Sequence, residues 1–186
     1  MDETYTLLTQ VIMTKVSHDL AGVIGSAQMT AQMLQEDKTF LDEGAPLLKE
    51  SLDVVAIRLK FFRALFGLAN KPIPPELPQA YLDTLTPKIA FEGTLQTPLQ
   101  SALFLWGSEM LIFGGTISVD HEKVCISGKN IRTDMTLLKN VTQPELPASF
   151  FKPQMAAALW ARALLLEKKN ILRIEQVSDC ITFYFM

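Results

Sequence analysis

Between Lys15 and Gly25 the chain reads Lys-Val-Ser-His-Asp-Leu-Ala-Gly-Val-Ile-Gly, and this stretch holds the residues best suited to chemistry. A neutral imidazole at His18 offers one nitrogen lone pair for nucleophilic attack and one N–H that a neighbour can hold. Asp19 follows at once as a candidate orienter or base, although adjacent helical residues point about 100° apart. On a helix, Ala21, Gly22 and Gly25 share the face of His18, at three, four and seven residues beyond it. Each mid-helix glycine costs about 1 kcal/mol relative to alanine, so a pair of them beside an imidazole implies that something approaches the backbone closely. The plainer alternative is a surface histidine beside small residues that serve helix packing.

The flanking pattern demands a helix. Leu8, Ile12, Val16, Leu20, Ile24, Ala27, Ala31 and Leu34 recur every three or four positions, which predicts a helix over residues 4–35 with one buried stripe and His18 off it. Residues 37–45 break the pattern. Pro46 suits a first helical turn, and Leu47, Leu48, Ser51, Leu52, Val55, Leu59, Phe62, Leu65 and Phe66 carry a second helix to about residue 69. The two make an αα-hairpin, in which a turn near residue 40 places residues 58–63 opposite His18. Arg58, Lys60 and Arg63, with Lys15, would then ring the histidine with positive charge suited to phosphate. Ordinary exposed helix charges, paired with Glu50 or Asp53, are the alternative. Val54, Ile57, Phe61 and Leu68 add more apolar surface than one partner helix covers, which predicts a symmetric dimer forming a four-helix bundle. Packing on the rest of the same chain is the competing explanation.

Four prolines among residues 72–78 mark the clearest boundary, because they exclude both helix and central strand. We therefore expect a hairpin domain over residues 1–70 and a second domain over residues 79–186. In the second, helices are expected near residues 79–85, 98–111, 135–140 and 153–168, and strands near 88–91, 116–119, 123–126, 171–176 and 180–185, with turns at Gly114-Gly115 and Ser178-Asp179. The fold class is α+β: a helical hairpin followed by a small layer of helices on a sheet. The 186 residues are 48% hydrophobic, which excludes a fully disordered chain, and a formal net charge of -3 gives no basic field for nucleic acid. No signal peptide or membrane-length apolar run is present, so a cytoplasmic, membrane-free protein is expected. Cys125 and Cys180 lack metal-ligand spacing and read as core thiols. His121, at a strand turn, is expected to be inert.

His-Asp-Leu with Gly25, set in a long amphipathic helix, resembles the phosphoacceptor box of sensor histidine kinases, and more closely that of ChpT-type histidine phosphotransferases. Residues 99–111 followed by Gly114-Gly115-Thr-Ile-Ser-Val resemble the first helix and strand of the kinase ATP-binding domain. The kinase helix carries an asparagine for magnesium, whereas this one reads Leu-Gln-Ser-Ala-Leu-Phe-Leu-Trp-Gly-Ser-Glu-Met-Leu; Glu109 offers a metal one ligand at most. No Asp-x-Gly-x-Gly segment or glycine-rich lid follows to grip a nucleotide. The resemblance thus implies a degenerate, nucleotide-free kinase-like domain, with no intrinsic cofactor and no ATP.

What the resemblance implies for function is a histidine phosphotransferase of a two-component phosphorelay. His18 would be the phosphoacceptor and Asp19 its orienter or base, while Lys15, Ala21, Gly22, Gly25, Arg58, Lys60 and Arg63 would form the docking face. The partners would be receiver domains of a hybrid histidine kinase and of response regulators, which bring the Mg2+, and a second copy of the chain. One departure stands out: the family's box continues with proline five residues after the histidine, and here that residue is Val23. The proline would kink the helix. Two other classes remain, a dimeric signalling adaptor without phosphotransfer and a divergent ATP-dependent histidine kinase.

Overall fold

The computed structural model describes residues 3–66, 72–132, 138, 140–143, 146–168 and 171–185. With no proline to interrupt it, the first helix, α1 (Glu3–Glu36), runs through Val23 as one element. Asp37 ends it by accepting from the backbone N–H and the hydroxyl of Thr39, at 2.8 and 2.6 Å, and one 3-10 turn (Lys38–Phe40) reverses the chain. The second helix, α2 (Leu41–Phe66), begins five residues before Pro46, which therefore lies inside the helix and not in its first turn as expected. Asp42 and Glu43 favour this earlier start by meeting the positive end of the helix dipole. Gly44 makes the tight corner possible, because a Cβ there would stand 2.6 Å from the Phe40 ring and 2.9 Å from Leu34.

After the hairpin come α3 (Leu77–Asp83), β1 (Ile89–Gly93), α4 (Pro98–Met110), β2 (Gly115–Val119), β3 (Lys123–Ser127), α5 (Ala156–Lys168), β4 (Leu172–Val177) and β5 (Cys180–Phe185). The strands form one five-stranded sheet in the order β1-β2-β3-β5-β4. Only β1 and β2 are parallel, and α4 makes the crossover between them. Ile117, Val119, Val124, Ile126, Ile181, Phe183 and Phe185 are buried on one face, alternating with half-exposed Ser118, Cys125, Thr182 and Tyr184 on the other. At the sheet's edge, the Gln79 side chain of α3 accepts from Phe91 N at 2.7 Å and donates to Ile89 O at 3.1 Å, occupying strand groups that would otherwise be open. Gly114 and Gly115 take φ of 84° and 150°, and a Cβ at Gly115 would lie 2.2 Å from the Ser127 carbonyl.

The fold class is as expected, a mixed α+β structure with a long N-terminal hairpin and helices on a sheet, while several boundaries move. Pro78 sits within the first turn of α3, where a missing N–H costs nothing, so that helix starts at Leu77. Residues 153–155 form a separate 3-10 turn ahead of α5. The helix expected over 135–140 falls mostly outside the described residues.

α4 is the centre of the core. A capping box of Thr97 and Gln100 starts it, and the buried Gln100 amide is further satisfied by Gln96 N at 2.8 Å and Asp120 O at 3.0 Å. From Leu99 to Ser108 every residue is buried, because the sheet lies on one side and the hairpin, α3 and α5 on the others. Phe61 of α2 is part of this core: its ring stacks on Tyr81 at 4.1 Å and meets Phe104 edge-on at 5.7 Å. Phe61 is thus buried by its own chain, which corrects its assignment to surplus dimer surface. Val54 and Ile57 are half-buried, and Leu68 lies outside the described residues. A second cluster joins Val11 of α1 to Ala156 and Leu159 of α5. The buried line on α1 consequently follows two partners, which is why Val11 is buried and Ile24, expected in the stripe, is exposed. Cys125 and Cys180 are not core thiols. They are half-buried on the sheet's open face, with their Sγ atoms 2.9 Å apart. Among the described residues no helix is long and apolar enough to cross a membrane.

Candidate functional site

α1 presents His18 outward, with 84% of its side chain exposed. One turn earlier and one residue later, Lys15 and Asp19 turn toward the sheet half and are largely shielded. Lys15 Nζ donates to Asp19 Oδ2 at 2.5 Å and lies 3.2 Å from Glu109 Oε1 on α4. The other Asp19 oxygen, Oδ1, is 3.5 Å from His18 Nδ1, at the outer limit of a hydrogen bond. A path of charged contacts therefore runs from the buried helix α4, through Lys15 and Asp19, to the exposed imidazole.

Burial of Glu109 raises its carboxyl pKa to about 7, a rise that Lys15 restrains and the charge of Asp19 reinforces. Burial works against the charge of Lys15, but Glu109 and Asp19 together outweigh it and hold the ammonium above its usual pKa. This ammonium is committed to two carboxylates and sits inward of the histidine, so the expected ring of free positive charge is not what the structure builds from Lys15.

Arg58 reaches the site where the hairpin geometry placed it, facing the α1 turn of His18, and its donors are also engaged. Its Nη1 donates to the Asp19 carbonyl at 2.8 Å, while Nε and Nη2 donate to Thr84 Oγ1 and Thr84 O at 3.0 and 2.8 Å. It latches α1 and α2 to the loop after α3. Lys60 and Arg63 are exposed on α2. Neither lines the clefts described below, and Asp53 pairs with Lys49.

Ala21, Gly22 and Gly25 are exposed. Beyond the helix's own turns, no described atom lies within 4 Å of where a Cβ at Gly22 or Gly25 would stand. Within this chain the glycines are therefore not small to permit helix packing, and the face beyond His18 is open. On its other side His18 borders a cleft of about 470 Å³ between α1, α4 and residues 153–155, into which Trp106, Glu109, Met110 and the exposed Arg132 also face. A second cleft, about 390 Å³, is lined by Arg58, Tyr81 and Thr84, and the Lys15, Asp19 and Glu109 side chains border both. Among the described residues no group of three or more His, Cys, Asp or Glu could hold a metal ion. His121 is exposed on the β2–β3 turn.

No protein-family profile matches the chain, and no curated protein matches it in sequence. Its fold does match a solved structure of a bacterial phosphotransferase, with a TM-score of 0.76 over 96% of this chain and 95% of that one, at 18% identity. The two chains share one fold. The likeness runs from the hairpin through the helix-covered sheet.

Sequence reasoning did not join Glu109, Thr84 or Arg132 to the histidine. For Glu109 a signal existed: it is the one charged residue in α4, and an isolated carboxylate on an otherwise buried helix requires a partner. Thr84 and Arg132 carried none, since each meets the site only through loop geometry.

Proposed function

We propose that the chain is a histidine phosphotransferase of the ChpT type, relaying phosphoryl groups between receiver-domain aspartates through a phosphohistidine at His18. The observation that carries this reading is the setting of His18: a nearly fully exposed imidazole backed by a carboxylate, beside a helix face with open space above both glycines. In the forward step the free Nε2 lone pair attacks the phosphorus of an aspartyl phosphate in line, an N–P bond forms, and the P–O bond to the receiver breaks as its carboxylate leaves. Asp19 accepts from the Nδ1–H and holds the ring in the tautomer that frees Nε2. Return to a second receiver reverses these bonds. Catalysis then consists mainly of alignment and charge neutralisation, with Mg2+ brought by the receiver.

The shared fold supports this reading, as does the absence from α4 of the asparagine by which a kinase would hold magnesium. We therefore assign the second half as a degenerate kinase-like domain that takes no ATP. Ala21, Gly22 and Gly25 form the floor on which the receiver lands, and Lys60 and Arg63 are the exposed cations left to meet its acidic pocket. Arg58 contributes by position, since it holds the Asp19 carbonyl. Met29, Met33, Leu47, Leu52 and Leu59 of the hairpin are exposed, which supports a homodimer through a four-helix bundle. Such a relay operates in the cytoplasm.

The test is incubation with a panel of radiolabelled phospho-receiver domains, alongside His18→Ala with its fold checked by circular dichroism. Transfer to the parent and none to the variant is expected. Equal labelling of the variant overturns the assignment.

A further inference from the structure

We infer that Glu109 is a positioning residue for His18, acting through Lys15 on the Asp19 carboxylate that faces the imidazole. Its functional arm rests on the phosphoacceptor reading, but the coupling itself does not. Glu109 is the only charged group on α4, and its Oε1 is buried without a hydrogen-bond partner of its own, meeting Lys15 Nζ as an ion pair at 3.2 Å. Burying a carboxylate is costly without a partner, and the partner here is the same ammonium that holds Asp19 at 2.5 Å. An ammonium has three donors, so Lys15 can serve both carboxylates, but what it gives to one it withdraws from the other. With Glu109 ionised, Lys15 is shared, the triad carries one net negative charge, and Asp19 Oδ1 is left to accept the imidazole Nδ1–H. With Glu109 protonated, the Lys15 charge falls wholly on Asp19, and Oδ1 becomes a weaker acceptor for the imidazole N–H.

The exchange is set to occur near neutrality, where burial has moved the Glu109 carboxyl. The other groups around it are Lys15, Asp19 and His18 from α1, Arg58 from α2, Tyr81 from α3 and Arg132 from the loop after β3. Arg58 and Arg132 carry fixed charge. Lys15 is held protonated, and burial keeps the Tyr81 phenol neutral. The measurement must follow the Glu109 carboxyl and the imidazole separately.

Two-dimensional NMR of the full chain does so by following the Glu109 carboxyl 13C and the two His18 ring nitrogens across neutral pH. The carboxyl is expected to titrate with a midpoint near 7. Above that midpoint the Nδ1–H tautomer of His18 is expected to dominate in the parent and to fall several-fold in Glu109→Gln, which keeps the shape and mimics the protonated acid. In a Lys15→Met background the same Glu109 substitution should leave the tautomer ratio unchanged. An identical ratio in parent and Glu109→Gln overturns the inference. So does a His18 profile in the parent with no inflection at the Glu109 midpoint, a result that requires no variant to fold. In the functional arm, Glu109→Gln should lower kcat for phosphotransfer by about tenfold at alkaline pH with KM for the receiver unchanged. A parent that accepts no phosphate refutes the phosphoacceptor reading, while the ring-nitrogen titration still decides the role of Glu109.

Discussion

Gly22→Leu separates a landing surface for a partner from a contact between helices. Gly22 stands one turn beyond His18 on its exposed side, and beyond its own helix turns no described atom lies within 4 Å of the added Cβ. The substitution therefore meets no steric penalty within the chain and gains intrinsic helix propensity of up to about 1 kcal/mol. For a chain of this size that corresponds to a rise in Tm of roughly 2 to 4 °C. A leucine side chain in the path of an incoming receiver holds phosphorus and imidazole apart, and a misplacement of about 1 Å can cost on the order of a hundredfold in rate. Stability and transfer should thus move in opposite directions, which a thermal melt and a phosphotransfer assay on the same preparation will show. A variant that melts lower than the parent would refute the reasoning, because overpacking a buried contact costs about 1 to 3 kcal/mol and places Gly22 in an interface. Undiminished transfer would refute it equally.

Phe61→Ala empties a fully buried position stacked on Tyr81, and we expect a loss of about 3 to 5 kcal/mol in urea denaturation; a loss near zero would place the ring in a dimer seam. The raised Glu109 pKa fixes a direction for stability against pH. The folded state binds more protons between the unfolded value of 4.5 and the folded value of about 7, so this group destabilises the fold progressively as pH rises through that window. By linkage, Glu109→Gln should match the parent at pH about 4, below the unfolded value, and exceed it by up to roughly 3 kcal/mol at pH about 8; equal stabilities at both would show that the carboxyl is not shifted. Light scattering at micromolar concentration should report a dimer, which Leu52→Glu together with Leu59→Glu should dissociate; a monomeric parent counts against the four-helix bundle.

The elements were legible wherever local spacing alone specified them. α1, the strands from β2 to β5 and the capped start of α4 were each written in local spacing, so they emerged within a residue or two. Pro46 misled because the earlier acidic turn and the buried Gly44 start α2 upstream of it. Phe61 was rightly read as buried, but helical spacing states that a face is covered and not what covers it. Of the candidate site, His18, Asp19 and the glycine face are adjacent in sequence, so their common place on α1 could be read directly. The pairing of Lys15 with Glu109 depends on how α1 docks onto α4, and nothing local records that. Arg58 was placed by hairpin geometry, yet its commitment to Thr84 arises from a loop that the hairpin does not specify. The proximity of Cys125 and Cys180 follows from the β3–β5 register, which pairs Cys125 with Thr182 and Ser127 with Cys180.

The central claim is that His18 carries the phosphoryl group. The most direct measurement is intact and fragment mass analysis, at alkaline pH, of the chain after incubation with a phosphorylated receiver domain. One phosphoryl group per chain is expected, localised to His18, stable in base and lost on acidification. A phosphoryl group on any other residue, or none with every receiver tried, would contradict it.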